Sequence, residues 1–90
     1  LNPIYTDAYN NRGELYDKSG NYKQAIMDYS RAIELKPLDE KAYNNRGVAY
    51  GKIRSYQQAI ADFDMAVKLK PEFEEAYYNR GIAYRLLGYN

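Results

Sequence analysis

The sequence contains no Cys, no His and no Trp. The absence of Cys and His excludes disulfides, zinc sites built from these residues, and any catalytic site that uses a Cys or His side chain. No apolar run approaches the roughly 20 residues that a membrane-spanning helix needs. Because the formal net charge is only +1, electrostatics gives no reason to expect nucleic acid or an anionic membrane as the main partner.

Tyrosine is the residue present in excess, with 12 copies among 90 residues against two of Phe. A hydrophobic content of 46% and a charged content of 28% indicate a folded chain and not a disordered one. A core of this size is marginal without a disulfide or a metal. The tyrosine rings therefore either build that core or form a binding surface.

The chain repeats itself with a period of 34 residues. Its three prolines are 34 residues apart, and residues 3–36 match residues 37–70 at 17 of 34 positions. The final stretch, residues 71–90, matches the start of the second unit at 9 of 20 positions. A fixed period of this size indicates a solenoid or another array. Residues 1–90 are thus predicted to be one array of two complete units and the first half of a third.

Each unit has the pattern of two helices. Apolar residues recur at intervals of three and four, as on one face of an α-helix, and the residue before each proline is disfavoured in helical geometry. Asp39 is a predicted N-cap, and Gly20 suits a left-handed helix end. Residues 21–24 and 55–58 have the pattern of capping boxes. The prediction is an all-α protein without strands, with helices at roughly residues 6–18, 22–35, 40–53, 56–69 and 74–87.

The order of small and aromatic residues resembles the tetratricopeptide repeat family. That family places Gly and Tyr in the first helix of a 34-residue unit, two Ala and an aromatic residue in the second, and Pro at the close. The resemblance covers nearly the whole chain. It implies a right-handed superhelical solenoid of antiparallel helix pairs, with first helices on the concave side and second helices on the convex side. The matching residues are Gly13, Tyr16, Ala25, Tyr29, Ala32 and Pro37, then Gly47, Tyr50, Ala59, Phe63, Ala66 and Pro71, and finally Gly81 and Tyr84.

Two departures from the family pattern recur in every unit. They are Tyr9, Tyr43 and Tyr77 where the family often has Trp, and Arg12, Arg46 and Arg80 where it usually has Leu. On a helical wheel the arginines fall within the apolar stripe, where an unpaired charge is costly. Asp28 follows Arg12 by 16 residues and Asp62 follows Arg46 by 16, so we predict an ion pair within each unit. Arg80 is expected to reach back to Asp62 or to stay exposed. The alternative is that the arginines bind an anionic ligand.

The tyrosines are predicted to be mostly core residues. Those on the apolar faces are Tyr9, Tyr16, Tyr22, Tyr29, Tyr43, Tyr50, Tyr56, Tyr77 and Tyr84. A platform for stacking bases or sugars would need rings on the opposite face, and only Tyr5, Tyr78 and Tyr89 are candidates for exposure. Gly13 and Gly47 are expected to let the two helix backbones of a unit approach each other closely, and Tyr16 and Tyr29 are expected to fill the space beside that contact.

The face opposite the core is the candidate peptide-binding surface. Asn11, Asn45 and Asn79 recur one unit apart, and stacked first helices would align them along the concave groove. An Asn side chain offers an acceptor and two donors, which match the C=O and N–H of a peptide unit, and such asparagine ladders occur in some members of the family. The alternative is that these side chains are solvated or bond the neighbouring helix. The predicted peptide-binding residues are Asn10, Asn11, Glu14, Lys41, Asn44, Asn45, Tyr78 and Asn79.

The resemblance also indicates one ligand that this groove does not take. Members of the family that bind chaperones clamp a C-terminal carboxylate with Lys and Asn of the first helix, Asn of the third, and Lys and Arg of the fifth. The corresponding residues here are Asn10, Glu14, Asn45, Glu75 and Asn79. Only Asn45 agrees, and the two glutamates would repel a carboxylate. We therefore predict no capture of chaperone tails.

The last helix has no second helix after it to cover its apolar face. That face is expected to expose Ile82, Tyr84 and Leu87, and exposed apolar patches favour self-association. The chain begins at Leu1 without a Met, and residues 1–3 read as the end of a preceding second helix. We therefore expect residues 1–90 to be a segment of a longer array.

These features predict a protein-interaction scaffold that binds an extended peptide or a partner helix in the concave groove. The alternative is a structural segment that forms a homo-oligomer through its C-terminal helix. No enzymatic activity, metal or other cofactor is expected, because acidic pairs such as Glu74–Glu75 lie at a helix N-terminus and suit its dipole. The expected partner is a protein or peptide, not nucleic acid or a membrane. The absence of Cys is compatible with cytosol and periplasm alike.

Overall fold

A computed structural model describes residues 3–89, with side chains from residue 5 onward. Within this range five α-helices follow one another and no strand is present. They are α1 (Pro3–Lys18), α2 (Tyr22–Leu35), α3 (Glu40–Lys52), α4 (Tyr56–Leu69) and α5 (Glu74–Leu87). The predicted bounds agree to within one residue except at the start of α1, which lies three residues earlier. Pro3 is accommodated there because proline is well tolerated at the first position of a helix. Leu1 and Asn2, interpreted as the end of a preceding helix, lie outside the described residues.

The helices pack as antiparallel neighbours in two layers. Each helix contacts the next along the chain, and α3 also contacts both α1 and α5. By contrast, α2 and α4 make no mutual contact within the described residues. The layer of first helices is therefore the shorter, inner side of a curved array, and the second helices form its outer side.

The core is continuous from one unit to the next. Ala25 and Tyr29 of α2 form one buried cluster with Ala49 of α3. One unit later, Phe63 of α4 lies in a cluster that includes Ala83 of α5. Each second helix is thus covered by the first helix of the following unit, as expected for a solenoid whose units cannot bury their apolar faces alone.

Gly13 and Gly47 make room for an aromatic ring of the second helix. A Cβ atom at Gly13 would lie 2.7 Å from Cε1 of Tyr29, and one at Gly47 would lie 2.6 Å from Cε1 of Phe63. Tyr29 therefore fills the space beside Gly13 as expected, and Phe63 does the same beside Gly47. A Cβ atom at Gly81, the equivalent residue of the third unit, would meet nothing within 4 Å.

Two of the tyrosines predicted to be core residues are exposed. Tyr77 and Tyr84 on α5 are 43% and 37% exposed, whereas Tyr29 is 1% exposed. The prediction was wrong for this pair because no described helix packs on the face of α5 that carries them. The three tyrosines expected to be exposed, Tyr5, Tyr78 and Tyr89, are so.

The turn that follows each first helix uses left-handed backbone geometry at one position. Gly20, Arg54 and Gly88 occupy this position with φ of 82°, 65° and 112°. In the middle turn the N–H of Ser55 donates to the carbonyl of Tyr50 at 2.9 Å, which closes the helix end. The prediction for Gly20 is confirmed. Arg54 adopts a conformation that costs little only for glycine.

Only one of the predicted N-caps forms. The carboxylate of Asp39 accepts hydrogen bonds from the backbone N–H groups of Lys41 and Ala42 at 3.2 and 3.4 Å. Asn21 and Ser55 make no side-chain cap bond, so the predicted capping boxes were wrong. Their ψ angles of 69° and 68° lie outside the extended region that capping residues usually adopt.

No helix within residues 3–89 combines the length and the apolar character needed to cross a bilayer.

Replacing Arg54 by glycine is expected to stabilise the protein by about 1 kcal/mol, because the left-handed conformation strains any residue that carries a Cβ. The matched change Gly20→Ala is expected to lower stability by about the same amount. Urea denaturation followed by circular dichroism measures both. Equal midpoints for the Arg54→Gly variant and the parent protein would show that the turn carries no such strain.

Alanine substitutions at Gly47 and Gly81 are expected to act in opposite directions. Gly47→Ala should lower the free energy of unfolding by about 2 kcal/mol, because its Cβ overlaps the buried Phe63 ring. Gly81→Ala should raise it by about 0.5–1 kcal/mol, since the added methyl meets open space and alanine favours the helix. Parallel thermal and urea unfolding tests the pair, and a loss of stability in both variants contradicts the assignment.

Candidate functional site

A bidentate ion pair joins the two helices of each complete unit. Nε and Nη2 of Arg12 donate to Oδ2 and Oδ1 of Asp28 at 2.8 and 2.7 Å, and Arg46 binds Asp62 at the same two distances. The two ion pairs predicted from the 16-residue spacing are thus confirmed. The side chain of Asp62 is 6% exposed and that of Arg46 is 20% exposed, whereas that of Arg12 is 59% exposed. The second pair is therefore the better shielded from water.

Each of these guanidinium groups also lies between two tyrosine rings of its own helix. Cζ of Arg46 is 5.7 Å from the ring centroid of Tyr43 and 5.8 Å from that of Tyr50, and the first unit repeats the arrangement at 5.8 and 5.9 Å. A guanidinium plane packs favourably against an aromatic face. The recurrent Tyr and Arg that depart from the family pattern therefore form one cluster with the aspartate.

The pKa shifts reflect burial and these ion pairs. Burial raises the pKa of Asp62, although its hydrogen bonds with Arg46 act in the opposite direction, and the same bonds raise the pKa of Arg46. Burial also raises the pKa of Asp17, against the charge of Lys52. The shifted groups are distributed over the array and do not converge on one cleft, which indicates structural pairs. The described residues hold no group of acidic side chains arranged for a metal ion.

Arg80 takes a partner that the sequence reasoning missed. Its Nη1 donates to Oδ1 of Asp64 on α4 at 2.8 Å. The prediction that Arg80 would reach Asp62 or stay exposed to solvent was therefore wrong. The same atom of Arg46 donates to Oγ of Ser30 on α2 at 3.1 Å. Ser30 and Asp64 hold the same position in consecutive units. Nη1 therefore links a first helix to the preceding unit, while Nε and Nη2 link it to the second helix of its own unit.

A polar cavity of about 590 Å³ opens between α1, the first two turns of α3 and the start of α5. Six of the predicted peptide-binding residues line it, namely Asn10, Asn11, Glu14, Lys41, Asn44 and Asn45. Five of all its lining residues are acidic and two are basic. The cavity therefore carries a negative charge that disfavours an anionic ligand.

Part of the predicted asparagine set joins the first helices to one another. Nδ2 of Asn10 donates to Oδ2 of Asp39 at 3.0 Å, and Nδ2 of Asn44 donates to Oε2 of Glu75 at 3.3 Å. Asn79 in turn donates to Oδ1 of Asn44 at 3.4 Å. Because Asn44 is only 2% exposed, its amide serves the packing between α3 and α5. Oδ1 of Asn10 is buried without a hydrogen-bond partner.

Asn11 and Asn45 differ from that group because their side chains take part in none of the hydrogen bonds found among the described side chains. Asn11 is exposed and Asn45 is half-buried, and both line the polar cavity. Of the three asparagines of the predicted ladder, Asn79 thus bonds a neighbouring helix, whereas Asn11 and Asn45 line the polar cavity.

A second cavity, of about 330 Å³, lies between the last two turns of α3, α4 and α5. Its apolar lining includes Val48, Phe63, Ile82 and Leu86, with Asn79 at its polar edge. Sequence reasoning did not identify this cavity. The sequence did contain an indication of this cavity. Three residues that the helical wheel places opposite the core are apolar, namely Val48, Ile82 and Leu86.

The residues predicted for self-association are only partly exposed. Ile82 lines the apolar cavity, and Leu87 is half-buried against the cluster around Phe63. Tyr84 is 37% exposed and makes an edge contact with Tyr89, with ring centroids 5.8 Å apart. Tyr78, predicted to bind peptide, is exposed but lies outside both cavities.

Comparison with known proteins agrees with this architecture. The family model of the tetratricopeptide repeat matches residues 6–38 and 40–73, which together make up more than half of the chain. The fold is that of a protein-interaction repeat, an array of helix pairs with a concave inner face. The chain belongs to the tetratricopeptide repeat family.

Several solved structures of such domains are similar to this chain. The first repeat domain of Spaghetti (RPAP3), bound to the HSP90 peptide SRMEEVD, has a TM-score of 0.94 and 27% identity over 98% of this chain and 70% of that one. The second repeat domain of human RPAP3, in complex with the HSP70 peptide SGPTIEEVD, has a TM-score of 0.91 and 32% identity over 94% and 71%. The TPR2B domain of yeast Sti1 in its pHsp70 complex has a TM-score of 0.92 and 27% identity, over 93% of this chain and 67% of that one. A search of curated protein sequences gives no match.

Arg46→Met is expected to lower the free energy of unfolding by about 3 kcal/mol, because it leaves the carboxylate of Asp62 buried without its partner. The double variant Arg46→Met/Asp62→Leu should recover most of that loss, since apolar groups of similar volume can replace a buried pair. Arg12→Met should cost less, because water reaches that end of the pair. A double-mutant cycle measured by urea denaturation gives the coupling free energy between Arg46 and Asp62. If the two single substitutions lower the free energy of unfolding additively, the assigned ion pair is contradicted.

Proposed function

We propose that this chain is a peptide-binding protein-interaction module without catalytic activity, and that its ligand is an extended segment held on the concave face. The observation that carries this proposal is the pair of cavities of opposite character that open along the first helices. The peptide complexes of the similar RPAP3 and Sti1 domains support it. Asn11 and Asn45 supply donors and acceptors for the ligand backbone, which lets them hold a peptide whatever its side chains.

The charge of the polar cavity favours a basic peptide. The RPAP3 ligands carry the acidic ending EEVD, whereas the cavity here is lined by five acidic and two basic residues. Glu14 and Glu75 stand where chaperone-binding members of the family carry Asn and Lys. Like charges across a binding surface are costly, so an acidic tail is rejected and a cationic segment is preferred.

The two cavities also set the spacing of the ligand. Along α3, Lys41 lines the polar cavity and Val48 the apolar one. Seven residues of helix separate them by about 10 Å, which an extended chain spans with about three residues. The preferred ligand therefore carries an apolar side chain about three residues from a basic one.

Fluorescence anisotropy with two labelled peptides tests the proposal. We expect the charge-reversed, C-terminally amidated peptide SRMKKVK to bind at least about tenfold more tightly than SRMEEVD, a difference of about 1.4 kcal/mol. Added salt should reduce the difference, because exposed charges are screened. Equal binding of the two peptides, or tighter binding of SRMEEVD, overturns the assigned charge preference.

Variants then locate the site. Glu14→Lys should weaken the binding of SRMKKVK and strengthen the binding of SRMEEVD, because it reverses one charge in the lining of the polar cavity. Asn45→Ala should weaken any bound peptide regardless of its charge, since its amide is assigned to the ligand backbone. Gln57→Ala, an exposed polar residue on the outer helix α4, is the matched control and should leave both affinities unchanged. Unaltered binding in Asn45→Ala would place the peptide elsewhere.

A further inference from the structure

The two complete units differ at one place in the concave groove. Three side chains that line the apolar cavity in the second unit are replaced in the first unit by side chains that carry oxygen. In the second unit they are Val48, Gly51 and Phe63. The residues at the same positions of the first unit are Glu14, Asp17 and Tyr29. The first unit therefore presents hydrogen-bond acceptors where the second presents an apolar cavity.

The side chain of Tyr29 is buried, yet its hydroxyl has no partner. Tyr29 is 1% exposed, and a Cβ atom on Gly13 would lie 3.1 Å from Cζ, the carbon that carries the hydroxyl. Its Oη takes part in none of the hydrogen bonds found among the described side chains. Because the equivalent ring of Phe63 borders the apolar cavity, this hydroxyl is directed into the groove beside α1. An unpaired polar group at a buried position points to a ligand.

Two carboxylates of α1 lie beside that hydroxyl. Glu14 and Asp17 are three residues apart and therefore neighbours on one side of the helix. Burial, and then the charges of Asp17 and Glu14, raise the pKa of Tyr29, as expected for a phenol that faces acidic groups. Burial also raises the pKa of Asp17, and Asp17 has no ion pair within the described residues.

One cation acts on this place without occupying it. Lys52 of α3 opposes the effect of burial on the pKa of Asp17, but it is exposed and forms no ion pair among the described side chains. Two carboxylates against one ammonium leave an excess of negative charge. The place is therefore suited to a further cation.

We propose that Tyr29, Glu14 and Asp17 form a binding site for a lysine side chain of the bound peptide, an inference that rests on the proposed function. An ammonium group has three donors and no acceptor, which matches one hydroxyl and two carboxylates that all accept. A planar guanidinium instead suits the two oxygens of a single carboxylate. The site adjoins the polar cavity, which Glu14 also lines, and it determines where one basic residue of the ligand lies.

Fluorescence anisotropy with SRMKKVK and three peptides tests the site, each peptide having one lysine replaced by glutamine: SRMQKVK, SRMKQVK and SRMKKVQ. Asp17→Asn should weaken the binding of SRMKKVK about tenfold, because an ionic hydrogen bond is lost. Tyr29→Phe should weaken it about threefold, because one acceptor is lost. Neither substitution should affect one of the three glutamine peptides, which identifies the bound lysine. An equal loss with all three peptides overturns the proposal.

Two controls separate the site from general attraction and from unfolding. Glu34→Gln removes the same charge from an exposed position of the outer helix α2 and should leave the affinities unchanged. If it weakens SRMKKVK as much as Asp17→Asn does, the lysine site is contradicted. Tyr29→Phe should keep the protein folded, because Phe63 holds the equivalent position, and the midpoint of urea unfolding checks this.

A third comparison tests the choice of lysine over arginine. The peptide SRMRRVR should lose the dependence on Tyr29, since a guanidinium pairs with one carboxylate. The same dependence on Tyr29 in both peptides would overturn the assignment to an ammonium group.

The outcomes distinguish this inference from the proposed function. If SRMKKVK binds no more tightly than SRMEEVD, the proposed charge preference fails and the lysine site fails with it. If SRMKKVK is preferred but binds the Asp17→Asn and Tyr29→Phe variants as tightly as the parent protein, the lysine site alone is wrong.

Discussion

The bidentate contact between an arginine of the first helix and an aspartate of the second holds each unit together. A buried carboxylate is tolerated only with a well-placed partner, so Asp62 fixes where α4 lies on α3. The guanidinium of Arg46 has one more nitrogen, Nη1, which reaches Ser30 of the preceding unit. A single side chain therefore contacts both the second helix of its own unit and the preceding unit, and two tyrosine rings flank its guanidinium.

This arrangement leaves the inner face of the first helices free to vary. The structural contacts of Arg46 and Gly47 lie on the side of α3 that faces α4, whereas Lys41, Asn45 and Val48 lie on the side that lines the cavities. Substitutions of the exposed Lys41 change the chemistry of the groove without disturbing the contact with the second helix, whereas Val48 also packs against the buried cluster around Phe63. The polar lining at one end of the groove and the apolar lining at the other are consistent with this separation of roles.

Sequence reasoning reached the features that depend on local spacing. The 34-residue period and the helix bounds follow from patterns within one unit, and the offset of Asp28 and Asp62 identified the partners of the arginines. Features that depend on how helices meet were beyond it. The bond between Asn79 and Asn44 and the apolar cavity depend on the angle and distance between neighbouring helices, which a periodic pattern does not specify. The absent cap bonds at Asn21 and Ser55 reflect their backbone ψ angles, which the residue types alone do not specify.

The similarity to chaperone-binding domains shows why the backbone alone does not define the ligand. With TM-scores of 0.91–0.94 to the RPAP3 domains, the helices that form the groove follow nearly the same path. Affinity for a charged tail depends instead on the sign of the few side chains that face it, because like charges across a desolvated contact cost several kcal/mol, roughly as much as good contacts elsewhere contribute. The proposed preference for a basic peptide rests on Glu14 and Glu75, which change the charge of the groove without a change in the path of the backbone.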